Sequence, residues 1–466
     1  MTQRKPILDI GRNVWRVARA SRAAILIDGC NYFSQLERAL RAAEHSVLII
    51  GWDFDGSIKL CPDDDECHPL GEFLYSLLEE KPTLKINILI WSAAVVHTKG
   101  ASMPLLIGAE WQEHPRISVK LDHNHPIYGS HHQKVVVIDD CLAFVGGMDL
   151  TVQRWDTCEH SETNSFRLAP NGAPYEPIHD IQSAVAGDTA AALGDLARER
   201  WLAATDETLA APPPRTEMWL DDVAPDFLNV PVAIARTAPA RGQVRAVSEI
   251  AELTADILSA ARRSIYIEAQ YFTASNVRRA LERSLASSQG PEIVVVVTRS
   301  SQGMLERLVM GGNRDRLIRH LRRADRHNRL RVFYPVVAGK ACACNVRIHS
   351  KLIIVDDEIL RLGSANLNNR SMGLDTECDI VIEASNDAEA RAIARIRNRL
   401  VGEHVGVEPE AVEQAIGRHG SLVRAIETLN RHDRGLRPFP ELDLDGPTEP
   451  VAGTGLLDPK DSLELR

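Results

Sequence analysis

Short runs of Val, Ile and Leu recur along the chain, at 46–52, 86–91, 117–121, 135–138 and 142–146, and again at 264–270, 292–298, 330–334, 352–355 and 359–363. Continuous apolar runs of this kind, bounded by polar turns, read as strands buried on both faces. The intervening stretches predict helices over 34–44, 70–80, 247–261 and 275–287. Further helices are predicted over 184–203 and 408–428. Strands alternating with helices predict an α/β fold, a central mixed β-sheet flanked by helices.

The order of elements repeats. Residues 131–150, HHQKVVVIDDCLAFVGGMDL, align without gaps to 348–367, IHSKLIIVDDEILRLGSANL, with six of twenty positions identical. Upstream, AEHSVLIIGWDFDG (43–56) parallels ARRSIYIEAQYFTA (261–274), and INILIWSA (86–93) parallels IVVVVTRS (293–300). A fixed-offset repeat of this length implies duplication. We expect two homologous halves, residues 25–205 and 233–405. Residues 1–24 are an extension and 206–232, with Ala211-Pro212-Pro213-Pro214, a linker. Residues 406–466 form a C-terminal helix and a tail that is either loose or draped over the body.

Composition narrows the class. Of 466 residues, 44% are hydrophobic and 25% charged, ordinary globular usage. No apolar run approaches the ~20 residues of a membrane-spanning helix. The start, MTQRKPILDIGRNVWR, lacks the apolar stretch of a signal peptide. The expected setting is cytoplasmic, with any membrane met at its surface. The net charge of −10 argues against a non-specific nucleic-acid binder. Eight Cys are spread over the chain with no disulfide or C-x2-C zinc spacing, so no metal is expected from them. Only 10 of the 54 basic side chains are Lys, and two of those ten occupy matching places in the repeat.

Those places define the candidate chemistry. Both repeats contain H-x-K-x4-D: His132, Lys134 and Asp139, then His349, Lys351 and Asp356. Alternation along a strand puts each His and Lys on one face. A His beside a fixed positive charge suits an anion, phosphate above all. The Asp has the opposite parity, so it is expected to anchor the strand end or its turn. A pseudo-two-fold would bring the two His-Lys pairs together with the active site between the halves. One His could then attack phosphorus while the other protonates the leaving oxygen, with two Lys neutralising the phosphoryl oxygens and no metal needed.

The two motifs, with their flanks FVGGMDLTVQRWDTCEH (144–160), GSANLNNRSMGLDTECD (363–379), IHDI (178–181) and SIYIEAQYF (264–272), resemble the phospholipase D superfamily over about residues 25–405, most closely its bacterial members. The resemblance implies a covalent phosphohistidine and hydrolysis or alcohol exchange at a phosphodiester, without a cofactor. It implies His132 as nucleophile and His349 as acid. Asn366 and its counterpart Asp149 match a supporting element. Glu377 resembles the acid that fixes a motif His through its second ring nitrogen, and the first half offers Asp156 and Glu159 near the equivalent place. The implied substrate is a glycerophospholipid at a membrane surface, with water or an alcohol as acceptor. No oligomer is required for a complete site. The rivals are a cardiolipin synthase-like phosphatidyltransferase and a nuclease of the same superfamily. Two weaker candidates remain: an Arg-rich stretch at 307–331, read as a solvated face or a lipid contact, and the aromatics Trp91, Trp111, Trp155, Tyr271 and Phe272, read mainly as core.

Overall fold

The computed structural model describes residues 6–92, 109–126, 128–215, 218–299, 310–340, 342–431, 433–449 and 458–459. Two long strands, Arg16–Ile27 and Phe227–Ala238, lie antiparallel at the middle of one continuous sheet. Outward from the first run Ile181–Gly187, Leu142–Gly146, Val135–Ile138, Ser46–Gly51, Lys85–Trp91 and Ile117–Asp122. Outward from the second run Glu377–Glu383, Ile359–Gly363, Lys351–Val355, Ser264–Ala269, Glu292–Val297 and Leu330–Val337. The two wings have the same order and the same strand directions. In each, the outer three strands are parallel and the inner ones antiparallel. The fold is therefore mixed α/β, with two equivalent halves meeting strand to strand.

Burial follows from this joint. One apolar cluster crosses it, with Leu193, Leu196 and Trp201 of helix Asp188–Thr205 and Ile393, Ile396 and Leu400 of helix Asp387–Val405 packed over strands of both halves. A separate cluster fills the other face of each wing. Among the described residues no helix is long and apolar enough to cross a membrane.

Several sequence expectations shift. The predicted helix 184–203 begins as the strand Ile181–Gly187. Only beyond Gly187, at φ 81°, does the helix Asp188–Thr205 start. The predicted helix 408–428 is two helices, Pro409–His419 and Leu422–Leu429. Gly420 ends the first in a left-handed conformation and the Ser421 hydroxyl caps the second. The strand Arg16–Ile27 runs across the expected boundary at residue 24, and Phe227–Ala238 runs across the one at 232.

The tail is draped. Gly435–Pro438 pairs with Leu330–Val337. Arg319, Arg322 and Arg323 of helix Gly312–Ala324 donate to backbone carbonyls of Phe439, Pro440, Asp443, Leu444 and Pro447. Arg319, Arg322 and Arg323 thus hold the tail, while Arg323 and Arg326 are also exposed, as on a solvated face. Arg307 lies outside the described residues. Trp91, Trp111, Trp155 and Phe272 are buried in the core.

Candidate active site between the halves

Each motif begins just before a hairpin. In the first, Ile138-Asp139-Asp140-Cys141 makes a two-residue turn with φ 50° and 51° at the two Asp, closed by Cys141 N–H donating to Ile138 O at 3.0 Å. In the second, Asp356 and Asp357 have φ 56° and 57°, and Glu358 N–H donates to Val355 O at 2.9 Å. Positive φ at both central positions is the turn that matches strand twist, and Asp tolerates it better than most residues.

The motif Asp carboxylates are used up in these turns. Asp139 accepts the backbone N–H groups of Glu44, His45 and Ser46 at 2.7–2.8 Å. Asp356 accepts those of Arg262, Arg263 and Ser264 at 2.7–2.9 Å. Each carboxylate thus fastens a hairpin to the first parallel strand of its half. These contacts are those of a strand-end anchor, the part the sequence pattern assigns to Asp139 and Asp356. Asp356→Ala removes three charge-assisted hydrogen bonds and leaves a non-Gly residue at positive φ. We expect a loss of about 3–5 kcal/mol, measured by denaturant unfolding, with little change in kcat of the protein that remains folded.

The histidines behave differently. His132 N–H donates across the joint to Thr376 O at 2.9 Å. Arg347–Ile348 pairs with Ile178–His179, and His349 N–H donates to His179 O at 2.8 Å. Each motif His is therefore held on a short bridge to the opposite half. The next residue on each bridge is an acid. His132 Nδ1 lies 3.0 Å from Glu377 Oε2, and His349 Nδ1 lies 2.6 Å from Asp180 Oδ2. Glu377 and Asp180 are structural equivalents, each two residues before the first residue of its strand that pairs with the motif hairpin. Glu377 thus faces the first-motif His, across the joint from the motif it follows in sequence.

Asp180 is the functional candidate that the sequence analysis passed over. Neither Asp156 nor Glu159 takes its place. Asp156 is bound to His160 and Arg167, and Glu159 is not among the partners of His132 or His349. The sequence carries the parallel: IHDI (178–181) leads into QSAVA as DTEC (375–378) leads into DIVIE. The small residues confirm the equivalence. A Cβ on Gly147 would meet Asp180 Oδ1 at 2.1 Å. At the matching position Ser364 donates its hydroxyl to Glu377 Oε2 at 2.5 Å.

The lysines are unequal. Lys134 Nζ is paired with Asp149 at 3.0 Å and donates to His132 O at 3.0 Å. Asp149 also accepts Trp52 N–H at 2.8 Å. Lys351 Nζ donates to the neutral amide oxygen of Gln270 at 2.9 Å and lies 3.2 Å from His349 Nδ1. Asn366, the counterpart of Asp149, is buried and its Oδ1 accepts no hydrogen bond. Arg154 and Arg347, which sequence reasoning did not single out, add positive charge around His349.

These surroundings set the protons. Burial, then Lys134 and Lys351, hold His132 well below the ordinary imidazole range. Burial, then Lys351 and Arg154, do the same to His349. Burial and Asp375 push Glu377 up to about 8, and burial brings Lys351 down to about 7. Two uncharged imidazoles, each with Nδ1 engaged by an acid, leave Nε2 as the reactive atom of both.

Comparison with known proteins agrees with this architecture. Residues 39–224 match the family model described as phospholipase D, and residues 254–400 match the one described as cardiolipin synthase, PLD-like domain. Phospholipase D A of Dictyostelium discoideum is 25% identical over 83% of this chain and 36% of its own length. Phospholipase D alpha 4 of Arabidopsis thaliana is 24% identical over 86% of this chain and 67% of its own. The chain spans between a tenth and about a third of the length of the Dictyostelium relatives it matches. The crystal structure of phosphatidylserine synthase from Haemophilus influenzae Rd KW20 superposes with a TM-score of 0.57 at 13% identity, covering 88% of this chain and 95% of that one, and so shares the fold. With both halves matched by family models and relatives aligned across the joint, the chain belongs to the phospholipase D superfamily.

Proposed function

We propose that this chain cleaves the distal phosphodiester of a glycerophospholipid, as a phospholipase D, releasing the head group and forming phosphatidic acid. The observation that carries the reading is the pair of His-Lys sets, each His fixed at Nδ1 by an acid from the opposite half. His132 Nε2 attacks phosphorus, forming a P–N bond as the P–O bond to the head group breaks. His349, doubly protonated once the anionic substrate is bound, gives its Nε2 proton to the departing oxygen. Water then attacks the phosphatidyl-histidine, its proton passes to His349, and the P–N bond breaks to free His132. Lys134 and Lys351 neutralise the phosphoryl oxygens, and Asn366 offers amide donors beside them. An alcohol in place of water gives head-group exchange.

The match of the second half to the cardiolipin synthase, PLD-like domain model favours phosphatidyl transfer as the second reading, with the same site and a different acceptor. Product analysis separates them. The protein is incubated with mixed vesicles of phosphatidylcholine, phosphatidylethanolamine and phosphatidylglycerol plus a little ethanol, and lipids are read by mass spectrometry. Phosphatidic acid and phosphatidylethanol are expected. Cardiolipin as the main product would select the transferase. Folded protein that yields no lipid product would turn the search to soluble phosphodiesters and nucleic acid.

A further inference from the structure

Behind the second motif lies a second group of ionisable side chains that the reaction does not use. Asp28, His160, His179 and Glu403 come from four distant segments, yet one donor atom of each lies within 4.8 Å of all the others. The first three belong to the first half, and Glu403 to the helix Asp387–Val405 of the second. Asp28 and His179 are fully buried and His160 is 1% exposed.

The donors alternate. His179 Nδ1 lies 3.0 Å from Asp28 Oδ1 and 2.9 Å from Glu403 Oε1. His160 Nε2 lies 3.1 Å from Glu403 Oε1 and 3.6 Å from Asp28 Oδ2. Ligands at ordinary zinc bond lengths sit about 3.3 Å apart along a tetrahedral edge, the middle of this range.

Direction matters more than distance. His179 Nδ1 makes no hydrogen bond although two carboxylate oxygens are within 3.0 Å, and both oxygens of Asp28 accept none. Of the four contacts only His160 Nε2 with Glu403 Oε1 has the geometry of a hydrogen bond. The others bring donor atoms together without a proton shared between them, as around one ion. Carboxylates also hold the far ring nitrogens. His160 Nδ1 lies 3.0 Å from Asp156 and His179 Nε2 lies 2.9 Å from Glu268. Asp156 is in turn bound by Arg167, and Glu268 accepts from Tyr266 and Ser350 and lies 3.0 Å from His404 Nε2. A carboxylate on the outer nitrogen fixes the tautomer that turns a bare inner nitrogen toward a metal.

We propose that Asp28, His160, His179 and Glu403 bind one divalent ion of the zinc class in a closed tetrahedral site that joins the two halves. Two imidazoles and two carboxylates suit zinc, and four protein ligands leave no open position, as in a structural site. The ion would brace the acid's frame: His179 O accepts His349 N–H, Asp180 follows His179, and Glu268 accepts the Ser350 hydroxyl. Glu403 also lines a surface cleft with Asn31, Cys158 and Arg434, which gives the ion a way in.

The test reads the metal itself and does not depend on the reaction proposed above. The purified full-length chain is stripped with a chelator and titrated with Co²⁺ and with Zn²⁺. We expect one Co²⁺ per chain, with the intense visible bands of a tetrahedral N/O site and no thiolate charge-transfer band, displaced by one equivalent of Zn²⁺. Zinc should raise Tm. Glu403→Ala, at the most accessible ligand, should weaken uptake by more than the ~10–100-fold that follows loss of a mere outer partner of a ligand. Cys61→Ser/Cys67→Ser should leave uptake unchanged. A folded wild-type chain that takes up neither ion at micromolar concentration would overturn the proposal and leave the cluster an ion-paired network. Cobalt binding that carries a thiolate band, or that Glu403→Ala leaves unaltered, would overturn it too.

Discussion

His132→Ala and His349→Ala each lower kcat by at least ~10⁴-fold, and the double variant is no worse than the poorer single one. In the proposed mechanism one phosphoryl transfer needs both side chains at once, so losing either leaves the other without a task. The sharper part of this prediction separates their roles. His349 is assigned to protonate the leaving oxygen, and a leaving group that departs as a stable anion needs no proton. With a p-nitrophenyl phosphodiester, His349→Ala should recover much of the rate of the first step, formation of the adduct, whereas His132→Ala should remain inactive. Release of p-nitrophenolate in the first turnover, compared with single-turnover choline release from phosphatidylcholine, measures the difference. Recovery by His132→Ala and not by His349→Ala would exchange the two roles, and normal phosphatidylcholine turnover in either variant would end the two-histidine account.

Glu377→Gln keeps the shape of the side chain and should still cost about 10³–10⁴ in kcat. A carboxylate accepts Nδ1–H and leaves Nε2 of His132 free to attack. A carboxamide can instead donate to Nδ1 and lock the proton on Nε2, where it blocks the nucleophile. The pH profile carries the same information. Glu377 ionises near 8 in the free protein, so kcat/KM should rise as pH climbs toward that value. Lys351, near 7, must keep its proton to meet phosphate, so the same quantity falls as pH climbs past it. With the two steps in this order only a minority of molecules hold both groups ready, and the profile is a bell centred between about 7 and 8, with apparent values that belong to the interacting groups together. In Glu377→Gln the rising limb should vanish and the falling limb remain. Stability should move the other way. A carboxyl whose pKa rises from 4.5 to about 8 on folding contributes stability that is full below 4.5 and is lost as pH rises through 8. Glu377→Gln should therefore melt at a higher temperature than wild type at pH 8.5. An unchanged pH profile in the variant would remove Glu377 from the site.

Much of this arrangement can be read in the sequence because two constraints act locally. The runs VVVI and LIIV have one stable environment, a strand covered on both faces, and the Asp-Asp pairs that follow are turn formers. His and Lys two residues apart follow from the same chain geometry. The acids were harder to find because their partnership crosses the joint. Glu377 stands 28 residues after His349 but serves His132, and its equivalent Asp180 stands 48 residues after His132. The extra length lies in 151–177, so an offset carried over from the other half pointed to Asp156 and Glu159. The central strands were hidden for a different reason. RVARASRAAILI carries an Arg at every third position through its first part and reads as polar, yet its second part is the buried heart of the sheet. Likewise, nothing local joins Asp28, His160, His179 and Glu403, which only the folded topology assembles.

The measurement that tests the central claim most directly is capture of the covalent intermediate. His349→Ala lacks the group assigned to activate water, so it should form the adduct from a p-nitrophenyl phosphatidyl ester and release it slowly. The reaction is stopped at alkaline pH, where a phosphoramidate survives, and digested for peptide mass spectrometry. The account predicts a phosphatidyl group on the peptide containing His132, in amounts matching the first burst of p-nitrophenolate. A burst with no adduct on any histidine, or an adduct on a different residue, would contradict it.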